Sequence, residues 1–201
     1  MSRAAEGRNG KKRISRRMRI VSGKFRGRNL KAPSSNAIRP TSDRLRESIF
    51  NILVHAYADP ITNARVLDLF AGTGALGLEA MSRGAKYALF IEEAAEARAL
   101  IRDNVETLAL TGATKIFRRD AAKLGDMGPM EPFDLVFCDP PYGQGLAEKS
   151  FLSARDGKWL APSALLVVEE AVKAGFKTPQ GFEELERRTY DDTEIVFLRA
   201  A

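Results

Sequence analysis

The sequence predicts an α/β fold: a mainly parallel sheet with helices on both faces, closed by antiparallel strands and preceded by a small basic β-hairpin. Three observations point there. From about Ala64 onward, short apolar runs alternate with segments of helical periodicity. A glycine-rich turn joins the first of these strands to the first helix. Near the C-terminus, two strand-like runs flank Asp191-Asp192-Thr193 as a hairpin would. Alternating β and α units of this length imply parallel crossovers, which place helices on both faces of the sheet. The 201-residue length suits a single core, and 44% hydrophobic against 29% charged residues is a balance that packs rather than stays disordered.

Residues 1–17 are too polar to bury a surface and read as a disordered basic arm. Residues 18–40 form a hairpin appendage: Ile20-Val21 and Phe25 are short apolar groups broken by Gly23 and Gly27, studded with Lys24, Arg26, Arg28 and Lys31. Residues 41–201 form the main domain. Thr41 or Ser42 can cap a helix whose apolar positions Leu45, Ile49, Ile52, Leu53 and Ala56 recur at helical spacing until Asp59-Pro60 stops it. Strands are expected at Arg65–Leu69, Tyr87–Ile91, Lys115–Phe117, Leu135–Cys138 and Leu165–Val168. Helices are expected at Ala75–Arg83, Ala94–Leu108 and around Leu146–Ala154, and the closing hairpin at Leu185–Tyr190 and Glu194–Leu198.

Charge is unevenly spread. The first 31 residues hold 12 Lys or Arg and one acid, Glu6, for a net +11, while the other 170 residues carry a net −5. Such an arm on a mildly acidic body predicts a polyanionic partner, and RNA or DNA fits best because Lys and Arg displace counterions from phosphates. A lipid surface is disfavoured, since Met1 to Arg17 offers only Ile14 as a sizeable apolar group. The longest run without Asp, Glu, Lys or Arg, Ser48 to Ala58, is 11 residues, about half of what a membrane helix requires. No apolar segment of the secretory kind opens the chain, so a cytoplasmic location is expected. Cys138 and His55 are the lone members of their types, so neither a disulfide nor a metal centre is expected.

Asp68 to Gly77 reads D-L-F-A-G-T-G-A-L-G, a G-x-G-x-x-G turn after a strand and opening a helix. Glycines let the backbone approach a ligand, and free helix N–H groups face the same space. Glu92, 20 residues past Gly72 at the end of the second strand, can accept hydrogen bonds from ribose hydroxyls. A nicotinamide dinucleotide would satisfy this pattern too. Asp68 tilts the choice: a carboxylate ahead of the glycines is awkward beside a pyrophosphate but suits the ammonium of S-adenosylmethionine. Asp120, after the third strand, can accept from an adenine amino group, with the N–H of Ala121 available to a ring nitrogen.

Asp139-Pro140-Pro141-Tyr142 follows an apolar strand, at the carboxyl end where open α/β sheets hold ligands. An exocyclic base amine is a poor nucleophile because its lone pair is delocalised. The Asp139 carboxylate and the Pro140 carbonyl can each accept one amine hydrogen and aim the lone pair at a methyl group. Two prolines stiffen the loop and remove N–H donors, and Tyr142 offers a face for an unstacked base.

With these segments together the chain resembles the RsmD family, bacterial methyltransferases that modify N2 of a guanine in 16S ribosomal RNA. The resemblance rests on Met18 to Gly23 with Arg26-Gly27-Arg28, on Arg39-Pro40-Thr41-Ser42-Asp43-Arg44-Leu45-Arg46-Glu47, on the glycine turn continuing to Leu78-Glu79-Ala80, and on Asp139 to Tyr142. It implies a Rossmann-like class I methyltransferase fold with seven strands, one reversed, and an N-terminal hairpin serving RNA. It also implies S-adenosylmethionine as cofactor and 16S ribosomal RNA or an assembling small subunit as partner, the family position being guanine 966. A monomer is expected, with no metal and no membrane partner.

Residue by residue, Asp68, Phe70, Ala71, Gly72, Thr73 and Gly74 map onto the cofactor loop, Glu92 onto the ribose acid, Asp120 and Ala121 onto the adenine contact, and Asp139, Pro140, Pro141 and Tyr142 onto the catalytic loop. Arg19, Lys24, Arg26, Arg28, Lys31, Arg39 and Arg44 are the basic side chains expected on RNA. This chain departs from the usual pattern at Ala94, where an acidic or polar residue is common, so Glu92 and the adjacent Glu93 are both candidates for the ribose. It departs again near Asp191, where a glycine is common. Three alternatives stay open from the residues themselves: an adenine-N6 or amide methyltransferase, a nicotinamide-dependent enzyme, and a non-catalytic RNA-binding assembly protein.

Overall fold

A computed structural model describes residues 18–33 and 42–201; Arg39 and the basic arm lie outside them. The N-terminal segment folds back on itself, with β1 (Met18–Arg19) antiparallel to β2 (Asn29–Leu30) and a glycine-punctuated turn between them. Helix α1 (Asp43–Ala56) starts at Ser42, whose hydroxyl accepts from the Leu45 N–H. There follow β3 (Arg65–Leu69), α2 (Ala75–Ser82), β4 (Tyr87–Ile91), α3 (Ala95–Thr107), β5 (Thr114–Phe117), β6 (Phe133–Cys138), α4 (Leu146–Asp156), β7 (Leu160–Ala171), β8 (Phe182–Tyr190) and β9 (Thr193–Ala200).

The seven long strands form one sheet in the order β5-β4-β3-β6-β7-β9-β8, with β5, β4, β3, β6 and β7 parallel and β9 reversed between β7 and β8. This is the class I methyltransferase arrangement expected above. Alternate residues of each central strand supply two apolar layers. Val66, Phe90, Phe137, Val167 and Phe197 face α1, α2 and α3, whereas Leu67, Leu89, Val136, Val168 and Val196 face α4 and Trp159. Burial on both faces is why these strands read as unbroken apolar runs.

Met18, Ile20 and Leu30 belong to the first layer, so the N-terminal segment contributes to the core of the main domain. Polar contacts hold it there. Glu79 of α2 is fully buried and accepts from the N–H groups of Val21 (2.8 Å) and Ser22 (2.9 Å) while pairing with Arg83. The fully buried Asn104 of α3 accepts from Lys31 N–H (2.7 Å) and donates to the carbonyls of Lys31 and Thr73, tying this segment to the glycine turn. Arg46, also fully buried, donates to Asp43 and to the Arg19 carbonyl, joining α1 to β1.

β7 is three times the expected length, 12 residues in place of the four from Leu165 to Val168. Glu169-Glu170 break the apolar run, yet pairing with β9 carries the strand through them, while at the other end the ladder to β6 is interrupted around Pro162-Ser163, where Ser163 takes φ +58°, and is met again at Leu160. At the turn between β8 and β9, Asp191 adopts φ +53°, the left-handed region that a glycine takes more freely.

Candidate functional site

Strand order reverses between β3 and β6, and ligands of open α/β sheets lie outside the carboxyl ends at such a switch point. The register levels the ends. Leu69 is opposite Ile91 on one side and Cys138 on the other, Cys138 is opposite Val168, and Ile91 is opposite Phe117. The glycine turn after Leu69 and the loop opened by Asp139 therefore start at the same level on adjacent strands, about 4.8 Å apart. A long contact of 3.5 Å runs from the Asp139 N–H to the Leu69 carbonyl.

Within the turn, Phe70 (φ +57°), Gly72 (φ +56°) and Gly74 (φ +77°) take left-handed conformations. At Phe70, which has a Cβ, that conformation carries strain. Gly77 serves close packing: a Cβ there would lie 2.5 Å from a Phe90 ring carbon and 3.0 Å from Asp68 Oδ2. Glu92 reaches back from the end of β4, with Oε2 accepting from Gly72 N–H (2.9 Å) and Oε1 from Ala94 N–H (2.8 Å). Glu93 is exposed, and its carbonyl accepts from Arg98. Of the two candidate acids, it is Glu92 whose carboxylate meets the turn.

Asp68 lies beneath the turn, 2% exposed, accepting the Gly77 N–H at 2.9 Å. Burial, with a smaller push from the Glu92 charge and opposed by the Gly77 hydrogen bond, raises its pKa from 3.8 to about 8. Between those values the folded chain holds a proton that the unfolded chain has lost, so this group makes stability fall as pH rises from about 4 to about 8. Denaturant titrations across that window should show Asp68→Asn removing as much as ~1.4 kcal/mol per pH unit of slope relative to the parent. Identical slopes in the two proteins would place the raised acid elsewhere.

After β5, Asp120 caps a short 3-10 turn (Ala121–Lys123) through Oδ1 on Ala122 N–H (2.8 Å), while Ala121 is buried. On the other side of the switch point, Asp139 is half-buried, Pro140 buried and Pro141 exposed. The half-buried Tyr142 donates its hydroxyl to Glu169 Oε1 at 2.9 Å. Burial first, then the charges of Glu169 and Asp139, push the Tyr142 pKa up, so the phenol stays protonated and remains a donor. Cys138 is buried in the strand, and burial raises its thiol pKa well above normal, which leaves it a core residue.

The structure thus brings Asp68, Phe70, Ala71, Gly72, Thr73, Gly74, Glu92, Asp120, Ala121 and the Asp139–Tyr142 loop to the carboxyl edge of the parallel strands. Apart from Asp68, raised to about 8, and the Tyr142 phenol, its ionisable groups are the carboxylates Glu92, Asp120 and Asp139, a setting that repels a pyrophosphate and suits a ligand carrying positive charge, hydroxyls and an amine. Arg19, Lys24, Arg26, Arg28, Lys31 and Arg44 are exposed, with Arg19 paired to Asp43 (3.4 Å) and Lys31 to Asp103 (2.8 Å). Sequence reasoning did not single out Glu169, Glu170 or Asn104. Two adjacent acids after an apolar run were the available signal for the first two, and Asn104 gave none. Among the described residues no cluster fits a metal ion, and no helix is long and apolar enough to cross a membrane.

The family model described as Conserved hypothetical protein 95 matches residues 18–199. The chain is 42% identical to the "Ribosomal RNA small subunit methyltransferase D" of Escherichia coli K12 over 165 residues, 82% of this chain and 80% of that one. It is 34% identical to the protein of the same name from Haemophilus influenzae, across 90% of this chain and 92% of that one. Among solved structures, the Escherichia coli protein yhhF superposes with a TM-score of 0.78 at 34% identity, covering 92% of this chain and 98% of that chain. The 16S rRNA N2 G1207 methyltransferase RsmC of Thermus thermophilus, solved with AdoMet and guanosine, shares the fold at 20% identity and TM-score 0.60, over 84% of this chain and 45% of that one. On the match across residues 18–199 and these identities, the chain belongs to the Conserved hypothetical protein 95 family, the RsmD family of methyltransferases.

Proposed function

We propose that this protein is an S-adenosylmethionine-dependent ribosomal RNA methyltransferase that modifies the exocyclic N2 of a guanine in 16S RNA, at the family position 966, on RNA or on the assembling small subunit. One observation carries the reading: the glycine turn and the Asp139–Tyr142 loop leave neighbouring strands at one level on either side of the switch point. The names of the relatives, small-subunit ribosomal RNA methyltransferases, support the substrate class.

When bound, S-adenosylmethionine supplies a methyl group on a positively charged sulfur. Glu92 would hold ribose hydroxyls, Asp120 and the Ala121 N–H would hold adenine, and the turn from Phe70 to Gly74 would receive the amino-acid end. Asp139 and the Pro140 carbonyl accept the two guanine amine hydrogens, so the nitrogen lone pair is held toward the methyl carbon. Asp139 would then take the proton that the amine nitrogen gives up as it gains the methyl group, and pass it to water. Tyr142 supports the unstacked base. The chain's own residues contribute orientation and electrostatics, and no nucleophilic side chain is required. The basic hairpin, with Arg39 and the arm, supplies sequence-independent affinity for phosphates.

Mapping modified nucleotides in 16S RNA from cells with and without the protein tests this directly. N2-methylguanine should disappear from one site and return on complementation. Loss of an N6-methyladenine instead would favour the adenine reading, and an unchanged methylation map would favour a non-catalytic RNA-binding role.

A further inference from the structure

We propose that Glu169 is a positioning residue that sets the plane of the Tyr142 ring, with Glu170 holding the next peptide, so that β7 braces the loop from both sides of the sheet edge. The inference rests on the reading of Asp139–Tyr142 as the loop that receives the base. Successive strand residues point to opposite faces: Val167 packs in the layer of α1 and α2, and Val168 in the layer of α4. Glu169 and Glu170 continue that alternation. They converge on consecutive residues of one loop, Glu169 Oε1 accepting the Tyr142 hydroxyl at 2.9 Å and Glu170 Oε1 accepting the Gly143 N–H at 3.1 Å.

Thr193, at the start of the reversed strand, lies opposite Ala171. The neighbouring Glu194 is already paired to Arg187 at 2.8 Å. Glu169 is 7% and Glu170 2% exposed, and burying carboxylates beside a site for a polyanion is costly. A hydrogen bond at the para position fixes the ring's tilt, which a phenylalanine anchored only at Cβ would not keep. A tilted platform misplaces the amine relative to Asp139.

The experiment compares single-turnover methyl transfer to small ribosomal particles purified from cells lacking the protein, using the full chain and its variants. Glu169→Ala should slow transfer on the order of tenfold to a hundredfold with cofactor affinity unchanged. Glu169→Gln should recover most of the rate, because its amide oxygen accepts the same hydroxyl. Tyr142→Phe should lose as much as Glu169→Ala, and the double variant no more than either. In carbon-13 spectra of the four tyrosines, one ring signal should change in Glu169→Ala and not in Glu169→Gln. Parental rates in Glu169→Ala, or losses that multiply in the double variant, overturn the proposal. If the alanine variant folds poorly, a parental rate in Tyr142→Phe overturns it alone. Absence of transfer by the parent protein would sink the functional reading instead, while the tyrosine signal would still report on the brace.

Discussion

Asp139→Ala is expected to lower methyl transfer to small-subunit RNA by roughly a hundred- to a thousandfold, equivalent to ~2.7–4 kcal/mol in the barrier, while cofactor affinity stays close to that of the parent. The separation follows from the topology. Asp139 begins the loop after β6, whereas Glu92 and Asp120 follow β4 and β5 on the far side of β3. The alanine variant keeps the Pro140 carbonyl but loses one of two acceptors, so the amine can rotate and its lone pair returns to conjugation with the ring. Asp139→Asn should fall between the two, since the amide retains an oxygen acceptor while its NH2 opposes the amine hydrogens. Calorimetric titration with S-adenosylmethionine and a radiolabelled transfer assay measure the two effects independently. Parental turnover in Asp139→Ala would remove Asp139 from the chemistry.

The second large effect is structural and lies away from the crevice. Gly23 has φ +80°, and a Cβ placed on it would sit 2.0 Å from the Ser82 carbonyl oxygen and 2.4 Å from its carbon, backbone atoms at the end of α2. Around that contact, Lys24 N–H donates to the Ser82 carbonyl (2.7 Å), Phe25 N–H to the Ser82 hydroxyl (2.9 Å), and that hydroxyl to the Ser22 carbonyl (2.6 Å). An alanine must push the turn off α2, breaking these bonds and leaving the buried Glu79 carboxylate with Arg83 as its remaining partner. Gly23→Ala should therefore cost about 3–5 kcal/mol, a fall of roughly 8–15 °C in melting temperature for a chain of this size. RNA affinity should fall with it, because the turn carries Lys24, Arg26 and Arg28.

Gly27→Ala is the matched control. Its φ is +81°, but a Cβ there meets nothing within 4 Å, so only the backbone strain of ~1–2 kcal/mol remains. Equal losses in thermal melts of the two variants would show that φ alone, and not the close approach to α2, governs the turn.

The strand-turn-helix order, the glycine spacing and the Asp139–Tyr142 tetrapeptide were legible in the chain because local rules govern them. Short unbroken apolar runs buried on both faces, a glycine turn at a strand end and a proline-stiffened corner each declare themselves within about ten residues. β3 and β4 fall at the residues that periodicity marks, Arg65–Leu69 and Tyr87–Ile91. The extent of β7 was not legible, since Glu169 and Glu170 look like a loop until strand pairing with β9 and hydrogen bonds from the Tyr142–Gly143 loop account for them. Nor was the depth of Asp68: a carboxylate after a strand reads as a ligand group, yet packing of α2 places it under the turn on Gly77 N–H.

By itself, the sequence determined the fold class and the family and marked the two loops that the structure brings side by side, because those depend on spacing along the chain. Only the tertiary structure decided which of Glu92 and Glu93 meets the glycine turn, and how Glu79 and Asn104 bind the N-terminal segment into the core. The physical reason is common to all of these: a buried polar group must find its partner within hydrogen-bond distance, and for Glu79 and Asn104 that partner lies 57 to 73 residues away in the chain.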